Sequence, residues 1–134
     1  MKALVVIDIQ NDITKHYRDV IGGINAAVAW ALSQGMPVVY IKHNNPSPGT
    51  RTFKPGTRGE ELAPELDVVS DNIFVKTKSN ALTSEAFSAW IGENGYEPAG
   101  PMFNIYHVSP HETRNPDEFV TEICYPVKKM EGTT

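Results

Sequence analysis

The sequence predicts an α/β fold with a parallel sheet, and three observations near its start support this class. An unbroken apolar run covers residues 3–9, a pattern of helical period covers 20–34, and strand character returns at 37–43. An unbroken apolar run is typical of a strand that is buried on both faces of a parallel sheet. Strand, helix and strand in this order form a βαβ unit, whose crossover we expect to be right-handed.

The helix predicted over residues 20–34 has one apolar stripe. Gly35 follows it in the position of a C-terminal cap, because glycine readily adopts the left-handed conformation found there. Gly22 and Gly23 each weaken the first turn by ~1 kcal/mol relative to alanine. The residues of the stripe are Val20, Ile21, Ile24, Ala27, Val28, Ala31 and Leu32.

A long connection follows the second strand. Residues 44–71 are rich in proline and show no sustained period, although residues 60–66 are compatible with a short helical turn. Long connections in small domains are lids, binding loops or disordered segments. Strand character returns at 71–79, and a second helix is predicted over 84–94, with Gly95 beyond its end.

The last part of the chain predicts antiparallel pairing. Residues 103–108 and 120–127 have strand character and are joined by a segment rich in turn residues, which is typical of a hairpin. Pro126 is expected at a strand end or edge, because it has no N–H to donate. Together with the strand at 72–78 and the helix at 84–94, these strands form a strand–helix–strand–strand unit.

The predicted architecture is therefore a two-layer or three-layer α/β sandwich with a mixed sheet. The 134 residues fit a single domain. Its first half would be a parallel βαβ arrangement, and its second half would end in the antiparallel hairpin.

Composition and charge exclude several classes of function. The formal net charge is −4, so there is no basic surface for nucleic acid or an anionic membrane. The first residues resemble neither a signal peptide nor a membrane span, and we expect a cytoplasmic protein. The single cysteine, Cys124, has no partner for an intrachain disulfide, and the four histidines lack metal-ligand spacing. We expect no metal and no cofactor.

Three segments in the first half carry a family resemblance. They are ALVVIDIQND at 3–12, FKPGTRGEELAPEL at 53–66 and IFVKTKSNAL at 73–82. In this order they resemble the N-terminal half of isochorismatase-like cysteine hydrolases, over residues 1–82. The resemblance implies a doubly wound parallel sheet, with ligands bound at the carboxyl ends of its strands.

The same resemblance implies two catalytic positions. Asp8 would be the general base that takes a thiol proton, and Lys76 would stabilise the thiolate and the developing negative charge. Lys78 is a competitor two residues later, but the register of the motif favours Lys76. The alternative is structural: Asp8 caps a turn at the end of the strand, and Lys76 extends its ammonium group from the strand end into solvent.

The cysteine of the family does not have a counterpart in its expected place. Family members carry it at the start of a later helix, whereas this chain continues after residue 94 with NGYEPAGP. Cys124 lies late in a predicted strand, where a small buried thiol is expected. The resemblance thus predicts no amidase activity. It leaves vinyl-ether cleavage open, because isochorismatases perform it without cysteine, with the aspartate as proton donor and the lysine nearby.

The second half resembles a different family. The segments AFSAWIGENGYEPAGP at 86–101 and FVTEICYPVKK at 119–129 resemble the C-terminal part of GyrI-like, or AraC effector-binding, domains. Members of this family bind hydrophobic or cationic compounds in a cleft. The resemblance implies Glu122 as the cleft carboxylate. It implies that aromatic rings line the wall, and the candidates are Trp90, Tyr106 and Tyr125. Alternatively, Glu122 faces solvent and the aromatic residues belong to the core.

The sequence is thus interpreted as one hybrid domain with a junction near Thr83–Ser84. Its parts are an isochorismatase-like half over 1–82, a GyrI-like half over 83–129 and a tail over 130–134. Both families place a helix after the strand that precedes the junction, so the crossover preserves local structure.

The hybrid also predicts partners. Unpaired sheet edges and the off-stripe residues Ala29 and Trp30 favour a homodimer. The leading hypothesis is a hybrid without amidase activity that binds a small organic molecule. The alternatives are a residual hydrolase that uses Asp8 and Lys76, or Glu122, and a structural oligomer without a ligand.

Overall fold

The structure of the chain, a computed structural model, describes residues 1–118 and 120–132. It divides into two compact units, residues 1–87 and 88–134. Each unit is described by itself. The interpretation of residues 1–134 as one hybrid domain stays a prediction.

The first unit contains a parallel sheet and two helices. Its elements in chain order are β1 (Leu4–Ile7), α1 (Asn11–Thr14), α2 (Val20–Ser33), β2 (Val38–His43) and β3 (Ile73–Lys76). The sheet has three strands in the order β1-β2-β3, and both pairings are parallel. The predicted α/β class with a parallel βαβ start is confirmed.

The register of the sheet brings the carboxyl ends of the strands together. Leu4 pairs with Val38 at the start of β1, and His43 pairs with Lys76 at the end of β2 and β3. Because parallel strands end at the same edge of a sheet, the residues that follow β1 face the last residues of β2 and β3. This edge holds the candidate site.

Helix α2 ends as its sequence predicts. Gly35 has a φ of 67°, in the left-handed region. Its N–H donates to the Leu32 carbonyl at 3.1 Å, and the Met36 N–H donates to the Ala31 carbonyl at 2.9 Å, which is a Schellman motif. Neither α2 nor any other helix within residues 1–118 and 120–132 is long and apolar enough to cross a membrane.

The core of the first unit lies between α2 and the sheet. Val39, Tyr40 and Ile41 of β2 are fully buried, as expected of a central strand. The predicted stripe of α2 is wider than the face that the core covers, because Val20 and Leu32 are exposed. The stripe residues in the buried core are Ile21, Val28 and Ala31.

The connection between β2 and β3 is folded onto the carboxyl ends of the strands. The helical turn predicted over 60–66 is absent, and a short 3₁₀ turn forms at Arg58–Glu60 instead. The turn stops because Glu61 is extended, with φ −67° and ψ 148°, and because Leu62 forms a β-bridge with Gln10. The connection is therefore anchored at the candidate site.

The second unit consists of short antiparallel pairs. The boundary between the units falls within α3 (Glu85–Glu93). The strands that follow are β4 (Tyr96–Pro98), β5 (Phe103–Val108), β6 (Val120–Cys124) and β7 (Val127–Lys129). β5 pairs with β6, and β4 pairs with β7.

The sheets differ from the predicted mixed sheet. In the described part of the chain, the parallel strands form one sheet and the antiparallel pairs form two others. The predicted strand at 120–127 is interrupted at Tyr125 and Pro126, because proline has no N–H for a continuous ladder. Its second part pairs with Tyr96–Pro98, a strand that the sequence analysis did not predict.

Candidate functional site

An ion pair connects the ends of the two outer strands of the parallel sheet. Lys76 Nζ lies 3.4 Å from Asp8 Oδ1 and 3.5 Å from Asp8 Oδ2. The lysine side chain is only 4% exposed, whereas the aspartate is 30% exposed. Lys78 is exposed. The geometry therefore favours Lys76 over Lys78 as the lysine of the site, and it does not match a lysine that extends into solvent.

Asp8 has an unusual backbone conformation. Its φ is 61°, in the left-handed region that costs ~1–2 kcal/mol for a residue other than glycine. Its Oδ1 atom is buried and, within residues 1–118 and 120–132, has no hydrogen-bond donor, although the lysine ammonium is near. Strained backbone and an unsatisfied buried oxygen both occur preferentially at functional sites. These features mark Asp8 as more than a turn cap.

His43 is the third member of the site, and it was not among the site residues predicted from the sequence. Its Nδ1 atom lies 3.1 Å from Lys76 Nζ. Because an ammonium group only donates, Nδ1 accepts this hydrogen bond and the imidazole proton resides on Nε2. The available signal was its place as the last residue of β2, next to the strand that ends in Lys76. The site is therefore a carboxylate, an ammonium group and a neutral imidazole.

Burial and the neighbouring Lys76 charge lower the pKa of His43 from its ordinary value of 6.5, against a smaller opposing effect of Asp8. The unfolded chain thus binds this proton more readily than the folded chain. We expect the free energy of unfolding to fall as the pH drops below about 6.5, through the lower folded-state pKa. Urea unfolding between pH 5 and pH 8 measures this. His43→Gln should flatten the dependence, and an equal slope in this variant would contradict the assignment.

Phe53 closes the site from the connection between β2 and β3. Its backbone N–H donates to Asp12 Oδ2 at 2.7 Å, and its φ of 54° is left-handed. Its ring meets the His43 imidazole edge to face, with centroids 5.3 Å apart and an interplanar angle of 84°. An aromatic wall thus lies beside the polar groups of the site.

Gly59 packs directly on the Asp12 carboxylate. A Cβ atom at this position would lie 2.2 Å from Asp12 Oδ2, closer than any real contact. We expect Gly59→Ala to displace the carboxylate from the Phe53 N–H and to lower the free energy of unfolding by about 1–3 kcal/mol. Thermal unfolding measures this. Gly92→Ala is the control, because a Cβ atom at Gly92 would meet no neighbouring atom and Gly92 does not have the positive φ of residues such as Gly49. Equal melting temperatures for Gly59→Ala and wild type would contradict the prediction.

Glu122 lies in the second unit, in a polar cluster on the β5–β6 pair. His107 Nε2 is 2.9 Å from Glu122 Oε2, and the Cys124 thiol is 3.7 Å from Glu122 Oε1. The hydrogen bond from His107 lowers the pKa of Glu122, so its carboxylate stays charged. Partial burial, followed by the nearby carboxylate, raises the pKa of the Cys124 thiol. Both effects are opposite to that of the nearby cation or helix N-terminus that lowers the pKa of a nucleophilic cysteine.

Tyr106, one of the aromatic residues predicted to line the cleft, does not share a face of the hairpin with Glu122. Glu122 pairs with Ile105, and Tyr106 pairs with residue 121, which precedes Glu122 in β6. Because side chains alternate along a strand, Tyr106 lies on the opposite face from Glu122. Trp90 lies on α3, and Tyr125 lies between β6 and β7. The structure thus brings Asp8 and Lys76 together in the first unit, while the other four predicted residues lie in the second.

A metal centre has no support in the described residues. Among residues 1–118 and 120–132, no group of three or more His, Cys, Asp or Glu side chains has a geometry that could hold a metal ion.

The fold and the Asp8–Lys76 edge define an α/β protein of the isochorismatase type. The family model described as "Isochorismatase domain" matches residues 2–98, which is most of the chain. The chain belongs to the isochorismatase family. The match extends past residue 82, where the sequence analysis ended the resemblance, and includes α3 and β4. The GyrI-like resemblance of residues 85–129 stays a prediction.

Solved structures of the family are similar to this chain. A candidate isochorismatase from Burkholderia xenovorans LB400 is 29% identical over 69% of this chain and 48% of its own, with a TM-score of 0.59. N-carbamoylsarcosine amidase from Thermoplasma acidophilum is 22% identical over 71% of this chain and 63% of its own, with a TM-score of 0.59. An isochorismatase-like hydrolase from Alkaliphilus metalliredigens is 18% identical over 69% and 61%, with a TM-score of 0.57.

The chain matches only part of each of these structures, between 48% and 63% of their length. The comparison with curated protein sequences gave no match. Activity and substrate are therefore matters of proposal.

Proposed function

We propose that the first unit binds a small organic molecule at Asp8, Lys76 and His43, without cysteine-dependent hydrolysis. The observation that supports this most is the Lys76 ammonium, which is buried at the carboxyl ends of the strands with a carboxylate and a neutral imidazole as partners. Burying a charge is costly unless its neighbours compensate it. A buried charge at the strand ends of a parallel sheet is typical of a ligand site.

The proposal that cysteine-dependent hydrolysis is absent is supported by the surroundings of Cys124, the single cysteine of the sequence. A thiolate nucleophile needs a lowered pKa, supplied by a nearby cation or a helix N-terminus. Cys124 instead has the Glu122 carboxylate beside it, which raises its pKa. The Asp8–Lys76 pair is thus proposed to bind and polarise a ligand without a covalent step.

A ligand screen tests the binding proposal. Small aromatic amides and aromatic carboxylates combine a ring for the Phe53 wall with polar groups for the Lys76–Asp8 pair. We expect compounds that raise the melting temperature of wild type and of Lys78→Met to lose this effect in Asp8→Asn. Lys78→Met is the control for removal of an exposed positive charge from the same segment. An unchanged ligand effect in Asp8→Asn would contradict the proposal.

A second candidate function is hydrolysis without a thiol, and it is favoured by Asp8 Oδ1, a buried oxygen for which the described residues supply no hydrogen bond. This oxygen, when protonated, would give its proton to the vinyl carbon of an enol ether, and water would add to the resulting oxocarbenium ion. The added water would return a proton to Asp8 and leave a hemiketal. Its C–O bond to the alcohol would then break, with the hydroxyl proton moving to the alcohol oxygen, which releases a ketone and an alcohol. Hydrolysis of a vinyl-ether acid that persists in Cys124→Ser and disappears in Asp8→Asn would support this. Loss of activity in Cys124→Ser would contradict it.

For the second unit we propose, on the GyrI-like resemblance, that Glu122 binds an organic cation. The support is its exposed carboxylate, which His107 keeps in the charged form. Thermal-shift measurements with aromatic cations test this. A rise in melting temperature that is equally large in Glu122→Gln would contradict the proposal.

We also propose that the chain forms a homodimer through the exposed face of α2. Trp30 is 57% exposed and Ala29 is exposed beside it. A groove of about 400 Å³ lies on this side of the first unit. It is lined by Met1, Lys2, Trp30, Gln34, Gly35, Met36 and Pro37. Light scattering after size exclusion tests this proposal. Wild type should have twice the mass of Trp30→Lys, and a monomeric wild type would contradict it.

A further inference from the structure

The side chain of Gln10 joins three segments at the candidate site. The residue is fully buried. Its Oε1 atom accepts a hydrogen bond from the His43 N–H at 2.8 Å, and its Nε2 atom donates to the His43 carbonyl at 2.8 Å. Nε2 also donates to the Glu60 carbonyl at 2.6 Å. One side-chain amide thus forms hydrogen bonds with the N–H and the carbonyl of His43 and with the carbonyl of Glu60, in the connection between β2 and β3.

Gln10 replaces main-chain pairing that β1 cannot provide. The Asp8 N–H still donates to the Ile41 carbonyl at 2.9 Å, but the left-handed φ of Asp8 then turns the chain away from β2. The next ladder partner of β2 would be the His43 N–H. An amide side chain has the same donor and acceptor as a peptide group, so the Gln10 amide continues the ladder where the main chain has left it.

We propose that Gln10 is a positioning residue that holds the end of β2 so that the His43 imidazole stays in contact with the Lys76 ammonium. The proposal deepens the proposed function, on which its consequence for ligand binding rests. The placement of His43 itself does not depend on any ligand.

The contacts of Gln10 connect it to the site and not only to general stability. Both hydrogen bonds to His43 fix the backbone of the residue whose Nδ1 atom accepts from Lys76. Without the amide, the His43 N–H would lose its partner Gln10 Oε1, and this end of β2 would turn toward water. The imidazole would move with it, away from Lys76.

A histidine titration of the full chain without ligand tests this. The pKa of each imidazole is measured by NMR, and His43 is assigned by the signal that disappears in His43→Gln. In Gln10→Met, which keeps the length of the side chain but lacks the amide, we expect the pKa of His43 to rise toward its ordinary value. The reason is that the imidazole gains water and loses the neighbouring ammonium charge.

Tyr40→Phe is the matched control. Tyr40 is also fully buried and lies on the same strand, and its hydroxyl donates to the Asp67 carbonyl at 2.5 Å and accepts from the Val69 N–H at 3.0 Å. The variant therefore loses buried hydrogen bonds without touching Gln10 or His43. We expect lower stability with an unchanged pKa of His43. If Gln10→Met does not fold, Gln10→Asn, whose amide is one methylene shorter, replaces it with the same expected direction.

Two results would overturn the proposal. One is an unchanged pKa of His43 in the Gln10 variant. The other is an equal rise in Tyr40→Phe, which would make the effect a general loss of stability. A rise confined to the Gln10 variant, together with no ligand binding by wild type, would support the positioning role and contradict the proposed function.

Discussion

Lys76→Met is expected to abolish the proposed ligand binding and to lower the free energy of unfolding by about 1–3 kcal/mol, whereas Lys78→Met should change both only slightly. The reason is burial: the Lys76 ammonium is almost fully enclosed, and its removal leaves the Asp8 carboxylate without its positive partner. Removing one partner of a fully buried pair costs ~3–5 kcal/mol. The partial exposure of Asp8 lets water replace some of the interaction, which reduces this cost.

The measurement is calorimetric titration of a compound found in the ligand screen, together with urea unfolding of the three proteins. The exposed Lys78 controls for the change in net charge. Binding that survives in Lys76→Met with an unchanged dissociation constant would contradict the assignment of the site. A loss of binding that is equal in both variants would point to long-range attraction rather than to a built site.

Ile41→Ala is expected to lower the free energy of unfolding by about 2–5 kcal/mol, because Ile41 is fully buried in the central strand of the sheet. The substitution removes buried methyl groups and leaves a cavity that the surrounding structure fills only in part. A loss of this size lowers the melting temperature by roughly 10 °C for a chain of this length.

Ile73→Ala is the matched control for the position in the sheet. Ile73 starts the outer strand β3 and is 39% exposed, so the same substitution removes fewer contacts. We expect a loss of less than about 1.5 kcal/mol. Equal losses in the two variants would contradict the central position of β2.

The elements of the first unit could be predicted from local patterns. The apolar runs of β1 and β2 and the Gly35 cap of α2 each carry their signal within a few residues. Asp8 and Lys76 were reached through the family resemblance, and the register of the sheet then places them together. Residues that end neighbouring parallel strands can be expected to lie close together, because the carboxyl ends of these strands share one edge of the sheet.

Gln10 and His43 show what local patterns miss. The Gln10 amide contacts a backbone 33 positions away, and nothing in the residues around Gln10 reports this partner. His43 looked like one of several scattered histidines, because its contact with Lys76 depends on the pairing of β2 with β3. Such contacts are determined by how the strands pair, and the residues next to Gln10 or His43 in the sequence do not reveal them.

Part of the second unit was predicted less well, because β4 and β7 are very short. The three residues of β4 carry too little sequence for a strand signal, and the break at Pro126 separates β6 from β7. Proline was expected at a strand end, but the sequence does not show which segment pairs with the residues that follow it.

A double-mutant cycle with Asp8→Asn and Lys76→Met tests most directly whether the two residues form one site. The free energy of unfolding of wild type, both single variants and the double variant is measured by urea unfolding at pH 7. Residues in contact couple, whereas distant residues act additively. The 3.4 Å pair predicts a coupling energy of about 1–3 kcal/mol. Additive effects, with a coupling near zero, would contradict the site.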